Sequence, residues 1–478
     1  MKSIKSLIFC TMFLSLIGCN KLIESTESDL IAGATALSTV PNCESAILGA
    51  YSDFAQEMDI LLNATISDEV KTAGEFYNAA TTHEWLFTPV DVGIRDNFTA
   101  ITPQYRTIDR ANRVLAALPT AIAANPAQEA LKLRLRGEAL FLRAFCHFQI
   151  YRYYCAKFTP GGLAMPYLDR VTLEPMARIN MQTYFDKMNA DITAAKPLLP
   201  ATIADINRAN IVSANGLHAR IALYSNDWAN AETFSTDYIN ALPLVSRTQF
   251  PGIWADAITN EVAYRVIRIA TTSRVGSLFR GTSASPTQIG TIVWIASNKL
   301  WDSYNQATDI RFSSYLKAEP LLAVRLGVNN QLVRKYEGTA YGTANENVAN
   351  LKIMRTGEMF LIRAEARAEL GRFTGANSAE LDLNQLRAAR ISGYINVTLA
   401  SASDAITQIM QERFKELAFE GHRFWDLKRR GLPVSRLVAD AISPGASTLP
   451  ANDYRFLLPI PLTEMQANSA MQQNPGYN

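Results

Sequence analysis

The sequence predicts a mostly α-helical protein in which helix pairs of the tetratricopeptide type form a scaffold beside an irregular, loop-rich part with a few short strands. Three observations predict this fold class. Apolar residues recur at helical spacing over several long stretches. Residues 213–239 have the helix–turn–helix form of a tetratricopeptide unit, with the turn at Asn226-Asp227. Residues 241–350 instead contain short strand-like pieces between long polar or Gly/Ser/Thr-rich loops.

The first eighteen residues have the pattern of a secretory signal. Lys2 and Lys5 precede an apolar run, Leu7 to Ile17, which is too short to span a bilayer as a helix. The run ends in Leu-x-Gly-Cys at Cys19, which resembles a bacterial lipobox. The resemblance implies cleavage before Cys19 and acylation of this residue, and several acyl chains together anchor a protein stably. The alternative is a non-lipidated secretory signal in which Cys19 is incidental.

We therefore divide the chain into a signal peptide (1–18), a lipidated tether (19–40) and one domain (41–478) with halves of about 41–250 and 251–478. Residues 20–40 are polar and small, as expected of a tether. No later window offers about twenty uninterrupted apolar residues, so we expect the rest of the chain to be tethered at a membrane rather than inserted in it.

The overall charge does not suggest a polyanion-binding protein. The net charge is +2, and without Lys2 and Lys5 the chain has 44 basic and 44 acidic residues. We expect no nucleic-acid partner.

Cysteine and histidine usage indicates neither a disulfide framework nor a metal site. If residues 128–155 form one helix, Cys146 and Cys155 lie about 13.5 Å apart along its axis, beyond the roughly 7 Å reach of a disulfide. There is no CxxC or HExxH pattern. We expect no cofactor, and we interpret the scattered histidines as ordinary packed or surface residues: His83, His147, His218 and His422.

Helical periodicity predicts most of the scaffold in chain order. The longest predicted helix, Gln128–Tyr154, has a broad apolar face and ends before Pro160-Gly161-Gly162. Other predicted helices cover residues 43–58, 105–114, 181–198, 213–225, 228–239, 358–370 and 373–389. The last two form a second tetratricopeptide-like pair joined at Gly371-Arg372, and helices near 130–152 and 181–198 could form a third. Stacked pairs bury a shared core and present a concave face to another protein.

Two segments of the chain are rich in loops. Residues 63–98 contain several aromatics, and residues 241–350 contain strand-like pieces at 242–245, 261–269 and 333–336. Long loops inside a compact chain are commonly functional or mobile. These two segments are therefore the first places to look for a ligand site.

The stretch from Ile409 to Gly431, IMQERFKELAFEGHRFWDLKRRG, begins as an amphipathic helix with Gly421 as its predicted stop. Glycosidase carboxylates face one another roughly 5–10 Å apart, whereas carboxylates on successive turns of one helix point the same way. We therefore expect a structural ion-pair network rather than catalysis. Its predicted members are Glu412, Glu416 or Glu420 paired with Arg413, Arg423 or Arg430.

This stretch carries a resemblance to a known family. ER-x2-EL-x2-EG-x-R-x2-DL-x-R-x-G, read from Glu412 to Gly431, resembles the C-terminal signature of the SusD/RagB family of outer-membrane nutrient-binding lipoproteins. L-x3-Y…D-x-R from Leu300 to Arg311 and QNPGY at 473–477 are also similar to family segments. The resemblance implies that the signature is structural. We assign this structural role to Glu412, Arg413, Glu416, Glu420, Gly421, Arg423, Asp426 and Arg430.

The resemblance also implies a function. SusD-like proteins lie on the outer membrane of Bacteroidetes-type bacteria and act as a hinged lid on a SusC-like TonB-dependent transporter. Four tetratricopeptide units form their scaffold, and an irregular remainder carries the ligand site. They capture oligosaccharides, or in some members peptides, without cutting them and without a catalytic cofactor.

Ligand residues vary within such a family, so we predict them from chemistry. A sugar ring offers an apolar face and a rim of hydroxyls, which suit exposed flat aromatics beside amides or carboxylates. Trp85 and Tyr77 near Asp68 and Asn78 meet this description in the first loop-rich segment. In the second segment the predicted residues are Trp294, Asn298 and Trp254. The alternative for each aromatic is burial in an irregular core.

Three hypotheses follow. The first is a glycan-binding uptake lipoprotein with a SusC-like transporter as partner and a lipid anchor in the outer membrane. The second is the same scaffold binding peptides or glycopeptides. The third, a glycoside hydrolase, would require a facing carboxylate pair that the sequence does not show.

Overall fold

The computed structural model describes residues 35–53, 56–73, 80–91, 101–322 and 330–477. In this part of the chain the helices are α1 Val40–Ser52, α2 Glu57–Ile66, α3 Ala80–His83, α4 Ile101–Ala117, α5 Pro126–Tyr154, α6 Met181–Ala195, α7 Ile211–Tyr224, α8 Trp228–Ala241, α9 Phe250–Trp254, α10 Gly276–Phe279, α11 Asn298–Trp301, α12 Ile310–Tyr315, α13 Thr356–Glu369, α14 Ala379–Ala388, α15 Ala402–Glu416, α16 Arg423–Arg430 and α17 Leu462–Ala467. The strands are β1 Val70–Thr72, β2 Val262–Val266, β3 Trp294–Ala296, β4 Leu316–Ala318, β5 Gln331–Val333, β6 Leu351–Arg355, β7 Val434–Ser435 and β8 Thr448–Leu449.

The long helices begin at residues that cap them. The side chain of Asn125 accepts a hydrogen bond from the backbone N–H of Gln128, and Pro126 occupies the first turn of α5. Asn210 and Ser213 form a reciprocal capping box at the start of α7. These local signals fix where each helix begins, so the predicted and observed starts of α5 and α7 differ by only two residues.

The scaffold is a stack of helices in which each contacts the next. Helices α1, α4 and α5 contact one another. The series then continues through the pairs α5–α6, α6–α7, α7–α8, α8–α13 and α13–α15. The pairs α7–α8, α13–α14 and α5–α6 are the three predicted tetratricopeptide-like pairs. The mostly α-helical fold class with a few short strands is confirmed.

The strands form two-stranded antiparallel sheets that connect distant parts of the chain. Strand β1 pairs with β3, with Val70 opposite Ala296 and Thr72 opposite Trp294. Strand β2 pairs with β6, β4 with β5, and β7 with β8. The β1–β3 pair joins the two loop-rich segments, so Asp68 and Asn298 lie at the same end of this sheet.

The chain differs from the sequence prediction in several local features, of which three concern whole elements or their ends. Residues Leu242–Val245 form no strand, and α14 begins at Ala379 because the side chain of Ser378 caps it there. Helix α15 ends at Glu416 rather than at Gly421. The chain then reverses through Phe419 and Gly421, whose φ angles are +60° and +79°, a region that glycine enters without steric cost.

Most apolar side chains pack into one core between the helices. A smaller cluster under the loops contains Ala73, Ile289, Ile292, Ile295, Leu322 and Leu332. Cys43, Cys146 and Cys155 are buried as free thiols. In the described ranges, no helix combines the length and the apolar character that crossing a membrane requires.

Candidate functional site

The three signature glutamates belong to a buried ion-pair network. Glu412 and Glu416 are completely buried near the end of α15. Nη1 of Arg311 lies 2.5 Å from Oε1 of Glu412 and 3.2 Å from Oε2 of Glu416. The other cations of the network also come from distant parts of the chain: Arg387 at Glu412, Arg355 and Arg390 at Glu416, and Arg355 and Lys335 at Glu420.

Guanidinium groups keep these carboxylates ionised. Burial by itself would raise the pKa of Glu416, but Arg390, Arg355 and Arg311 together lower it to about 2. Burial acts on Glu412 in the same way, and Arg311 is the main group that holds its pKa well below the usual range. A carboxylate that is anionic at neutral pH and paired on every side holds the fold together and has no proton to donate.

The predicted network is present, but its pairs differ from those predicted. Nε of Arg413 lies 2.7 Å from Asp426, Arg423 binds Asp68, and Arg430 binds Glu365 and Glu369. Among the described residues none of these three arginines pairs with Glu412, Glu416 or Glu420. The reason is the chain reversal after Glu416, which places Arg423 and Arg430 on a separate helix, α16.

The tryptophans predicted as an exposed platform are core residues. Trp85, Trp294 and Trp254 are 1%, 3% and 7% exposed. The Trp85 indole donates its Nε1–H to the carbonyl of Ile66 at 2.8 Å, and the guanidinium of Arg436 lies 4.2 Å from its ring centre. The prediction that these three rings are exposed is therefore wrong, because each packs against neighbouring side chains, Trp294 against His83 and Trp254 against Tyr315.

The polar residues predicted beside the platform hold lysines and arginines in place. Asp68 is buried and accepts hydrogen bonds from Nε and Nη2 of Arg423 at 2.8 and 2.9 Å and from Nζ of Lys299 at 2.7 Å. These cations hold its pKa well below the usual range against the opposing effect of burial. Oδ1 of Asn298 accepts from Nζ of Lys71 at 2.6 Å. The predicted residues Tyr77, Asn78 and Cys19 lie outside the described residues.

An open groove of about 670 Å³ lies in front of Asp68, between α11, α15 and α16. We call it the basic groove. Among its described lining residues are four cations, Lys299, Lys415, Arg423 and Arg430, and no carboxylate. Their side chains are between 12% and 31% exposed, so each is partly accessible from solvent. Lys299 and Arg423, the two cations that bind Asp68, therefore lie at a surface that solvent can reach.

The rest of the basic groove combines an apolar floor with small polar groups. The apolar residues are Ile406, Met410, Phe414, Leu427 and Leu432, and the polar residues are Ser303, Ser403, Thr407 and Gln411. Ile406, Met410 and Phe414 belong to the apolar stripe of α15. A floor of this kind beside hydroxyl and amide groups can contact the C–H face of a sugar while its hydroxyls are hydrogen-bonded.

A smaller pocket of about 220 Å³ shares Leu432 with the basic groove. Asn452 and Asp453 line it, and Tyr454 follows them directly. At 44%, Tyr454 is the most exposed Phe, Tyr or Trp residue in the described part of the chain. The sequence prediction missed Tyr454, although an aromatic within the polar run Asn-Asp-Tyr-Arg, which begins two residues after Pro450, is the kind of segment that leaves a ring in solvent.

The sequence prediction also missed Lys299 and Lys415. No local pattern marks them, because the groove forms only when α11 packs beside α15. Within the ranges that the structure describes, no group of His, Cys, Asp or Glu side chains is placed to hold a metal ion.

Comparisons with known proteins identify the family. A family model described as "SusD family" matches residues 323–477, and one described as "Starch-binding associating with outer membrane" matches residues 27–223. A relative from Formosa agariphila, SusD-like protein P2, is 25% identical over 98% of this chain and 99% of its own length.

Solved structures share the fold along most of the chain. A SusD superfamily protein from Bacteroides thetaiotaomicron has a TM-score of 0.77 at 19% identity, with 91% of this chain and 100% of that chain covered. Surface glycan-binding protein A from Bacteroides fluxus has a TM-score of 0.73 at 20% identity (92% and 100% covered), and a laminarin-binding SusD-like protein has 0.69 at 19% (92% and 100% covered). The two family-model matches, together with the signature stretch, assign the chain to the SusD/RagB family.

Proposed function

We propose that this chain is a cell-surface lipoprotein that binds a glycan and delivers it to a SusC-like TonB-dependent transporter in the outer membrane. Family membership supports the glycan as the ligand class, since one matching family model is described as starch-binding and two similar structures are named for glycan or laminarin binding. The carrying observation in this chain is the basic groove. Its volume of about 670 Å³ lies within the roughly 300–1,000 Å³ of typical ligand sites.

We propose that the chain binds its ligand without cleaving it. Hydrolysis of a glycosidic bond requires a protonated carboxylic acid and a second carboxylate on opposite sides of the bond. The described lining of the basic groove contains no carboxylate, and the nearby Glu412 is ionised and bound to Arg311 and Arg387. These features favour capture over catalysis.

Native affinity electrophoresis of the mature chain through gels with different polysaccharides tests glycan binding. We expect at least one polysaccharide to retard the chain relative to serum albumin. If no polysaccharide retards it and calorimetry with short oligosaccharides gives no heat, glycan binding is rejected and the peptide-binding alternative gains support.

Localisation and partner need separate tests. A Cys19→Ala variant is expected to lose the acyl mass and to leave the outer-membrane fraction. A tagged parent protein is expected to co-purify with a TonB-dependent transporter from its native membrane. Recovery of the tagged protein alone, with Cys19 acylated, would contradict the proposed partner but not the lipid anchor.

A further inference from the structure

We propose that the basic groove selects glycans that carry carboxylate or sulfate groups. This inference rests on the proposed glycan-binding function and adds the chemical class of the ligand. It depends on four observations: the number of cations in the groove, the small number of anions that neutralise them, their free donor groups, and the apolar floor between them.

Lys299 and Arg423 share a single anion. Both bind Asp68, which is buried behind them, so two positive charges face the groove for one negative charge. The neighbouring Glu69 does not correct this imbalance, because burial raises its pKa to about 8 and keeps it protonated at neutral pH. Asp68 holds the side chains of Lys299 and Arg423 in fixed positions, and this lowers the entropy cost of binding an anion.

Lys415 also shares its anion with other cations, whereas Arg430 shares Glu365 with Arg429 and is the one described cation that pairs with Glu369. Glu412 lies 3.6 Å from Lys415 but pairs more closely with Arg311 and Arg387. Arg430 uses Nη1 for Glu365 and Glu369. In the described part of the chain, Nε and Nη2 of Arg430 and Nη1 of Arg423 have no protein acceptor.

These donors suit an oxyanion such as a carboxylate or a sulfate ester. Guanidinium groups bind planar and tetrahedral oxyanions through charge-assisted hydrogen bonds, which are about twice as strong as neutral ones. The low exposure of the cations also reduces their screening by salt relative to fully exposed charges. A neutral sugar would leave the excess positive charge without a partner.

The floor of the groove favours an acidic sugar over nucleic acid. Single-stranded nucleic acids bind where flat aromatic faces stack against bases. Phe414 is the one aromatic residue among the described lining residues, and the guanidinium of Arg423 lies 4.4 Å from its ring centre. The aliphatic side chains of Ile406 and Met410 instead suit the C–H face of a sugar ring. The balanced overall charge of the chain did not predict this cluster of cations, because composition does not report where charged residues lie in the fold.

Matched polysaccharides test the proposal with the full mature chain in detergent. The probes are polygalacturonate and its methyl ester, and dextran sulfate and dextran, so that each pair differs in charge on one backbone. We expect at least one acidic probe to retard the chain more than its neutral partner, with the retardation falling as salt rises. The two acidic probes separate carboxylate from sulfate recognition.

Variants test whether the groove is responsible. Lys415→Gln with Arg430→Gln removes two groove cations while Glu412 and Glu365 keep arginine partners, so we expect at least roughly tenfold weaker binding of the acidic probe. Arg106→Gln with Arg170→Gln removes two exposed charges outside the groove and is expected to leave binding unchanged. Thr407 is exposed at the groove, so Thr407→Glu, which adds a negative charge there, is expected to weaken binding of the acidic probe.

The outcomes separate the inference from the proposed function. Equal or stronger retardation by the neutral probes overturns the inference and leaves glycan binding intact, whereas retardation by no polysaccharide, together with no heat from short oligosaccharides in calorimetry, overturns both. If Thr407→Glu and the Lys415→Gln with Arg430→Gln double variant, each folded by circular dichroism, bind an acidic probe as the parent does, the acidic ligand binds elsewhere and the assignment to the basic groove is wrong.

Discussion

Arg311 and Glu412 form a charge-assisted pair of 2.5 Å in which neither side chain reaches solvent. Arg311 belongs to α12, in the irregular middle of the chain, and Glu412 belongs to α15 in the C-terminal stretch. The same guanidinium also binds Glu416 and Asp309. The pair therefore fastens the loop-rich part of the molecule to the helical scaffold, and α15 carries one wall of the basic groove on its other side.

The central position of Glu416 gives a stability prediction. Glu416→Gln leaves Arg355, Arg390 and Arg311 with an excess of buried positive charge, and breaking a buried pair in this way costs roughly 3–5 kcal/mol. We expect a loss of this size in the free energy of unfolding by guanidinium chloride. Glu369→Gln is the control, because Glu369 is partly exposed and pairs with the partly exposed Arg430. Surface pairs contribute at most about 1 kcal/mol, so equal losses in both variants would contradict the prediction.

Glu69 gives a prediction about pH. Burial raises its pKa from 4.5 to about 8, and its Oε1 accepts from the backbone N–H of Phe419 at 3.0 Å. A raised carboxyl pKa means that the folded state holds the proton more tightly than the unfolded state. Its contribution to stability is therefore full below about pH 4.5 and is lost as the pH rises from there to about 8.

A Glu69→Gln variant lacks this titration. We expect the unfolding free energy of the parent, relative to the variant, to fall between pH 5 and pH 8 by up to roughly 1.4 kcal/mol per pH unit. Denaturant titrations of both proteins at pH 5, 6, 7 and 8 measure the difference. Taking the difference removes the contributions of buried histidines that both proteins share. Parallel stability curves would show that Glu69 ionises freely in the folded protein.

Local patterns in the sequence predicted the helices well, because amphipathic spacing and capping residues are contained in short segments. Trp228–Ala241 was predicted within two residues on this basis. The ion pairs could not be predicted in the same way. Asp68 and Arg423 are separated by most of the chain, and their contact depends on how the β1–β3 sheet and α16 pack together.

The aromatic platform illustrates a second limit of sequence reasoning. Trp85 and Trp294 lie in the two loop-rich segments of the sequence, and this context predicts exposed rings. Burial is decided by the tertiary fold, however: Arg436 lies over the ring of Trp85, and Trp294 pairs with β1 and packs against His83. The exposed ring, Tyr454, lies in a short C-terminal turn that carries few sequence features besides its polar neighbours.

The burial of Trp85 changes what its substitution should do. Trp85→Ala removes a large core side chain and leaves the carbonyl of Ile66 without its indole donor, so we expect a loss of roughly 3–5 kcal/mol in unfolding free energy. Trp85→Phe keeps most of the volume and should cost less. Denaturant unfolding measures both, and affinity electrophoresis of the folded fraction should show unchanged glycan binding. A stable Trp85→Ala protein that no longer binds would restore Trp85 as a ligand residue.

Gly357 tests how closely α13 approaches the ion-pair network. A Cβ at this position would collide with Oε1 of Glu416, and that oxygen cannot move aside freely because Arg355 and Arg390 hold it at 2.9 and 3.2 Å. We expect Gly357→Ala to lower the unfolding free energy by roughly 1–3 kcal/mol, although alanine favours a helix by up to about 1 kcal/mol.

The matched control for Gly357 is Gly49 in α1. There the nearest atom to a new Cβ is Nη1 of Arg110 at an ordinary distance of 3.5 Å, so helix propensity decides the result. We expect Gly49→Ala to raise the unfolding free energy by roughly 0.4–1 kcal/mol. Opposite signs for the two substitutions, measured by denaturant unfolding, would establish that the buried carboxylate of Glu416 dictates glycine at position 357. A stabilising Gly357→Ala would mean that Glu416 can be displaced at little cost, and the network would then be less rigid than its buried arginine pairs require.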